Sequence, residues 1–218
     1  MPRALFVKEG NAIYASHLDL MRLFQRAFKR AGLPLTHTQG FNPRPSVSIA
    51  LPLSLGVESQ CELLDFDLEG EKISSDVILE KLNNALIEGV TVLSVYDDGR
   101  KIKHLAYLDC VVTLEYDNGV ASDACSKIQT LFAQEQILVE KKGKNGIVEQ
   151  DIRPMIQSIE VSCDSSEIIL NARICCQNPS LNPMQLSAAI SKYLPELTPD
   201  FVRCRRMEVY DQENTIFR

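Results

Sequence analysis

The chain has 218 residues, 45% of them hydrophobic and 24% charged, with a formal net charge of −6. That balance suits a globular protein with room for one large or two small domains. No stretch of about 18 apolar residues occurs, so no membrane span is expected, and the charged opening Met-Pro-Arg-Ala-Leu-Phe-Val-Lys-Glu lacks a signal-peptide core, so a cytoplasmic location is expected.

In chain order, residues 3–8 and 12–14 read as a strand and its turn. Ser16 with Asp19 three residues later forms a capping-box pattern that opens a helix over about 17–31. Leu20, Met21, Phe24, Ala27, Phe28 and Ala31 recur at three- and four-residue steps, one buried stripe; Gly32 and Pro34 end the helix. Alternation over 47–51 and 63–68 predicts two strands. A helix from Ser75 or Asp76 toward Gly89 and a strand over 90–96 follow, then a linker at 97–104. The order then repeats: a strand at 107–116, a helix at 121–134, a strand at 137–141, a hairpin at 141–146 and an extra strand at 147–152. An antiparallel pair at 156–163 and 167–175, a helix opened by Asn182 and Pro183, and a strand at 202–210 complete it. The expected fold is α+β: two tandem ferredoxin-like (βαββαβ) units, mainly antiparallel, over residues 1–98 and 103–218, the second with extra strands.

Seven cysteines are present, an odd number, without a Cys-x-x-Cys pair and mostly within apolar or alternating runs. Small buried thiols in a reducing compartment are expected, and no metal site. Only three histidines occur, and there is no phosphate loop, dinucleotide fingerprint, nucleophile elbow or zinc-ligand set.

Charge is unevenly placed. Residues 1–50 carry seven Lys and Arg against Glu9 and Asp19, in a chain that is acidic overall. Arg22, Arg26, Lys29 and Arg30 fall on one helical face opposite the apolar stripe. They suit phosphate contact; the plainer account is a solvated face, or pairing with carboxylates elsewhere. The following Gly40-Phe-Asn-Pro-Arg-Pro45 is stiffened by two prolines and would present Phe41, Asn42 and Arg44 to a nucleotide, unless Phe41 belongs to the core. Arg203 and Arg205 share a face of the last strand, where they could border an anion site or guard a sheet edge. His17, Asp19 and His37 are the weak candidates for acid–base cleavage of RNA, with helix capping by Asp19 as the bland alternative.

From Tyr14-Ala-Ser-His-Leu-Asp-Leu-Met-Arg22 through Lys29-Arg-Ala-Gly-Leu-Pro34, then Gly40–Pro45 and Leu53-Ser-Leu-Gly-Val-Glu-Ser59, the chain resembles the radical-SAM-linked protein family; Asp151-Ile-Arg-Pro154 also fits. The resemblance implies a bacterial protein encoded beside, or fused behind, a radical-SAM protein with a B12-binding domain. Iron–sulfur cluster, SAM and cobalamin would belong to that partner, because this chain has no Cys-x-x-x-Cys-x-x-Cys run. No cofactor is expected here, and no catalytic residues transfer with the resemblance.

Three functional expectations follow. The first is an accessory module, without chemistry of its own, that presents RNA or a ribosome-associated substrate to the radical-SAM partner. The second is a stand-alone RNA-processing or RNA-modifying enzyme, by analogy with folds of CRISPR endoribonucleases and pseudouridine synthases. The third is a purely protein-binding subunit that docks an acidic partner.

Overall fold

The computed structural model describes residues 1–143 and 146–218. It is an α+β protein with four α-helices and mostly antiparallel sheet, and it divides into two compact units. The first comprises Met1–His104 with Phe217–Arg218, the second Leu105–Ile216.

The first unit contains β1 (Arg3–Lys8), α1 (His17–Arg30), β2 (Val47–Ile49), β3 (Val57–Phe66), α2 (Ser75–Asn83) and β4 (Val90–Tyr96). β1 lies between β3 and β4, and β2 lies outside β3, every pair antiparallel. The turn expected after β1 is a 3-10 turn at Gly10–Tyr14.

Helix α1 is set by its sequence at both ends and along one side. Ser16 accepts a hydrogen bond from the Asp19 amide, and the Asp19 carboxylate accepts from the Ser16 amide, closing the expected capping box. At the other end Gly32 takes φ +66°; its N–H bonds Lys29 O and the Leu33 N–H bonds Phe28 O. This is a Schellman stop, which needs a residue without a Cβ penalty at positive φ. No β-branched residue interrupts residues 17–30, so side-chain entropy does not oppose the helix. Leu20, Phe24, Ala27 and Phe28 are buried against the sheet residues Ala4, Phe6, Leu64 and Phe66. The Phe24 ring meets Phe6 edge-on at 4.8 Å, and Phe28 meets Phe66 at 4.9 Å.

Strand β3 starts at Val57, earlier than its alternation suggests. Ser59 holds a buried position at its start, and Cys61, Glu62, Leu63 and Leu64 are all buried, so both faces are covered over 61–64 and the period-two signal of apolar residues disappears. Helix α2 ends at Asn83, capped at Asn84, well before Gly89.

The second unit contains β5 (Leu105–Glu115), α3 (Ala124–Phe132), β6 (Leu138–Gly143), β7 (Gly146–Asp151), β8 (Ile156–Cys163), β9 (Glu167–Cys175), α4 (Met184–Tyr193) and β10 (Phe201–Asp211). Here β5 lies between β10 and β9, and β8 lies outside β9, again all antiparallel. In each unit the strand order is therefore fourth, first, third, second, the sheet that a βαββαβ succession builds. Strands β6 and β7 pair with each other as an added hairpin, and β8 takes the place in the main sheet. The expected turn at 141–146 runs through residues 144 and 145, which lie outside the described residues. The hairpin is closed at its root: Ile152 N–H bonds Ile137 O, and Asp151 Oδ1 accepts from the Ile137 and Arg153 amides. Helices α3 and α4 bury Ile128, Leu131, Phe132, Leu186, Ala189 and Ile190, while Leu108, Cys110, Val112 and Leu114 supply one buried face of β5.

Among the described residues no helix is long and apolar enough to cross a membrane.

Phe24→Ala is expected to cost about 3–5 kcal/mol, the usual range for deleting a fully buried ring. Urea denaturation would measure it as a large drop in midpoint, against a small change for the exposed Arg26→Ala.

Candidate anion-binding surface on the first unit

Burying Phe24 and Phe28 turns the opposite side of α1 to solvent. At 3.6 residues per turn, Leu18, Arg22, Arg26 and Lys29 span an arc of about 80°. Arg22, Arg26, Lys29 and Arg30 are all exposed. Only Arg22 has a carboxylate beside it, Asp19 at 3.7 Å. Arg30 lies at the edge of the face and donates to the Ala85 carbonyl. Among the described residues, no ion pair engages Arg26, Lys29, Arg30 or Arg44. Pairing with carboxylates elsewhere therefore does not account for this face.

The other two cations of the N-terminal segment are not at the surface. Arg3 is buried and grips Asp65 through Nε at 2.6 Å and Nη2 at 3.1 Å. Lys8 is buried and donates to the Ile13 carbonyl at 3.0 Å. The positive excess read from the sequence thus reduces to five exposed side chains, four on α1 and Arg44.

Arg44 is carried by a loop with a tied neck. The Thr36 amide donates to Asp67 O, Ser46 N–H to Thr36 O, and Asp67 N–H to Ser46 O, at 3.0, 2.7 and 3.1 Å. One step further out, Thr38 N–H bonds Arg44 O at 2.8 Å, and Arg44 N–H bonds Thr38 Oγ1 at 3.0 Å. Residues 39–43 project beyond this clamp, with Gly40 at φ +141°, a conformation that favours glycine. Phe41, at 104% relative exposure, is wholly outside the core. Asn42 and Arg44 are exposed beside it.

Two further exposed apolar groups flank the start of α1. Tyr14, ending the 3-10 turn, is 69% exposed and Leu18 is 64% exposed. Sequence periodicity placed neither: Tyr14 precedes the helix, and Leu18 interrupts the polar face. The signal was available only as an apolar residue out of phase with the buried stripe.

The remaining candidates stand in other settings. Arg203 belongs to the second unit, where Glu115 and Glu167 both bind its guanidinium. Glu115 lies two residues from Thr113, the β5 residue opposite Arg203, and Glu167 on β9 is paired with Glu115. Arg205 is exposed on the same strand. His17, Asp19 and His37 form no mutual hydrogen bond or ion pair among the described residues. Asp19 is taken by Ser16 and Arg22, His37 Nδ1 lies 3.8 Å from Glu69, and His17 Nδ1 is buried without a hydrogen-bond partner. Hydrogen bonds from Ser16 and the charge of Arg22 hold the Asp19 carboxyl below its ordinary value.

No cluster of three or more His, Cys, Asp or Glu converges among the described residues. All seven cysteines are free; burial pushes the Cys176 and Cys204 thiols up to about 12, which opposes the thiolate a cluster requires.

The fold and this surface define an α+β protein whose first unit exposes a cationic helix face. The chain belongs to the family described as "Uncharacterized protein conserved in bacteria (DUF2344)", whose model matches residues 2–183. No curated protein matches it. Among solved structures, a chain of the Cbf5-Nop10-Gar1 complex is similar with TM-score 0.50 and 10% identity, over 95% of this chain and 48% of that one. The chain thus spans about half of that relative, and at this identity the likeness shows the fold alone. An unknown protein from Galdieria sulphuraria matches at TM-score 0.27 and 11% identity, over 94% of this chain and 96% of that one, too low for argument.

The depressed Asp19 value fixes the sign of a pH effect. Its stabilising contribution is complete above the unfolded carboxylate value of 3.8 and is lost as pH falls through the lower folded value. Asp19→Ala should lower the thermal midpoint at neutral pH, and the gap from the unmodified protein should close in strong acid, followed by circular dichroism.

Proposed function

We propose that this protein is an accessory binding module that holds an RNA or ribonucleoprotein substrate for a radical-SAM partner carrying a B12-binding domain. The observation that carries the reading is the cationic arc of α1, whose Arg26 and Lys29 have no carboxylate partner while buried Arg3 and the second unit's Arg173 and Arg203 each have one. Exposed like charges at helical spacing repel by about 0.2–0.5 kcal/mol per pair, a cost that a polyanion reverses. Arg44 on its clamped loop adds a fifth cation at low ordering cost.

The radical-SAM link is supported by the resemblance over residues 14–59 and at 151–154, within the span matched by the family model. In that arrangement cluster, SAM and cobalamin sit on the partner, and this chain positions the substrate. The lack of any mutual hydrogen bond or ion pair among His17, Asp19 and His37 in the described residues favours binding over hydrolysis by this chain.

One observation favours a second reading, an acidic protein partner: Leu18 stands exposed among the cations of α1 and gives an apolar contact that a phosphate backbone does not need. Co-purification with the radical-SAM protein from nuclease-treated extract would support it.

Arg26→Glu combined with Lys29→Glu should leave the melting temperature nearly unchanged and sharply weaken RNA binding. The slope of log affinity against log salt should become shallower by roughly 0.7 for each single-strand phosphate that is no longer neutralised. Unchanged affinity and slope, measured by fluorescence anisotropy, would refute the assigned face.

A further inference from the structure

The exposed rings on the first unit say which form of nucleic acid this surface takes. A side chain of Phe41's size gains about 1.5–3 kcal/mol when buried, yet its ring lies entirely in solvent, on a loop whose neck is fixed by backbone hydrogen bonds. Tyr14 is the second such ring, at the other end of α1: it precedes the Ser16 cap, whereas the Phe41 loop follows the Gly32 stop. Between them runs a helix of 14 residues, ~21 Å long, with its cationic arc outward.

Exposed aromatic rings also occur in the second unit, but in a different setting. Phe201 is 58% exposed and stands opposite Glu115 in the sheet, near an Arg203 already bound by Glu115 and Glu167. That neighbourhood repels phosphate. Among the described residues, only the first unit combines bare rings with a helical face of cations of which all but Arg22 lack carboxylate partners.

Resting on the reading above, we propose that the substrate class is single-stranded RNA, with unpaired bases stacked on Phe41 and Tyr14 while Arg22, Arg26, Lys29 and Arg44 hold the phosphates between. A base inside an A-form duplex has both faces covered by its neighbours and cannot stack on a protein ring. A flat ring accepts any base, so the selection is for unpaired strand rather than for sequence. The cations alone would take duplex and single strand alike; the rings supply the discrimination.

The test uses the full chain with three probes: a short labelled single-stranded RNA of mixed sequence, the same strand annealed to its complement, and heparin. The single strand should bind tighter than the duplex at equal salt by roughly tenfold or more, the worth of about one stacked base. Phe41→Ala and Tyr14→Ala should each weaken the single strand by roughly 5- to 150-fold with the salt slope unchanged. Both rings are exposed, so thermal melts should match the unmodified protein. The chain has no tryptophan, so Phe41→Trp places a sole indole at the loop tip; its fluorescence should be quenched by the single strand but not by heparin. Equal binding of duplex and single strand, or wild-type affinity in both alanine variants, overturns the stacking assignment while leaving the cationic face intact. Failure to bind either RNA or heparin overturns both.

Discussion

The rotation of α1 about its own axis governs the first unit. Two aromatic contacts, Phe24 on Phe6 and Phe28 on Phe66, lock the helix onto the sheet through fully buried rings. A turn of the helix large enough to bury a cation would expose one of these rings, and the loss would exceed any gain from hiding charge. The direction of the basic arc is therefore a by-product of core packing. The capping box and the Schellman stop fix where that arc begins and ends.

The same chain treats cations in two ways. Arg3 is buried, held by two bonds to Asp65 and placed 5.5 Å from the Phe217 ring; Arg173 is bidentate to Asp109 and stacks on Tyr210 at 3.8 Å. Burial pushes the Asp109 carboxyl up, but the Arg173 hydrogen bonds and charge outweigh it and leave the group lowered. These arginines are structural, each matched to a planar carboxylate. The α1 cations instead face solvent, and apart from Arg22 none of them has a carboxylate beside it. This contrast, rather than the net charge of the segment, sets the α1 face apart from the cations of the scaffold.

Helix periodicity carried the reading of α1, because a capped helix with a continuous apolar stripe is specified locally. The strand succession was also legible, since β4, β5 and β10 alternate or carry sustained β-branched runs. β3 was harder: Ser59 and Glu62 are buried, and a buried polar residue erases the period that marks a strand. The charge count misplaced Arg3 and Lys8, because sequence shows the number of cations but not Asp65 or the Ile13 carbonyl waiting for them. Arg203 stayed open between two readings, because its partners lie on two other strands far apart in the chain. Phe41 was ambiguous between core and surface, because the neck bonds from Thr36 and Thr38 that decide it are set by tertiary placement.

The β6–β7 hairpin leaves and rejoins the second unit at Ile137 and Ile152, two residues already bonded to each other. Each doubling of the length of such a rooted insertion costs only about 0.6 kcal/mol more in closure entropy. Evolution can accordingly lengthen, shorten or delete it without re-registering β8 and β9. The hairpin is thereby a graft point at which a new recognition element could be fitted onto an unaltered sheet.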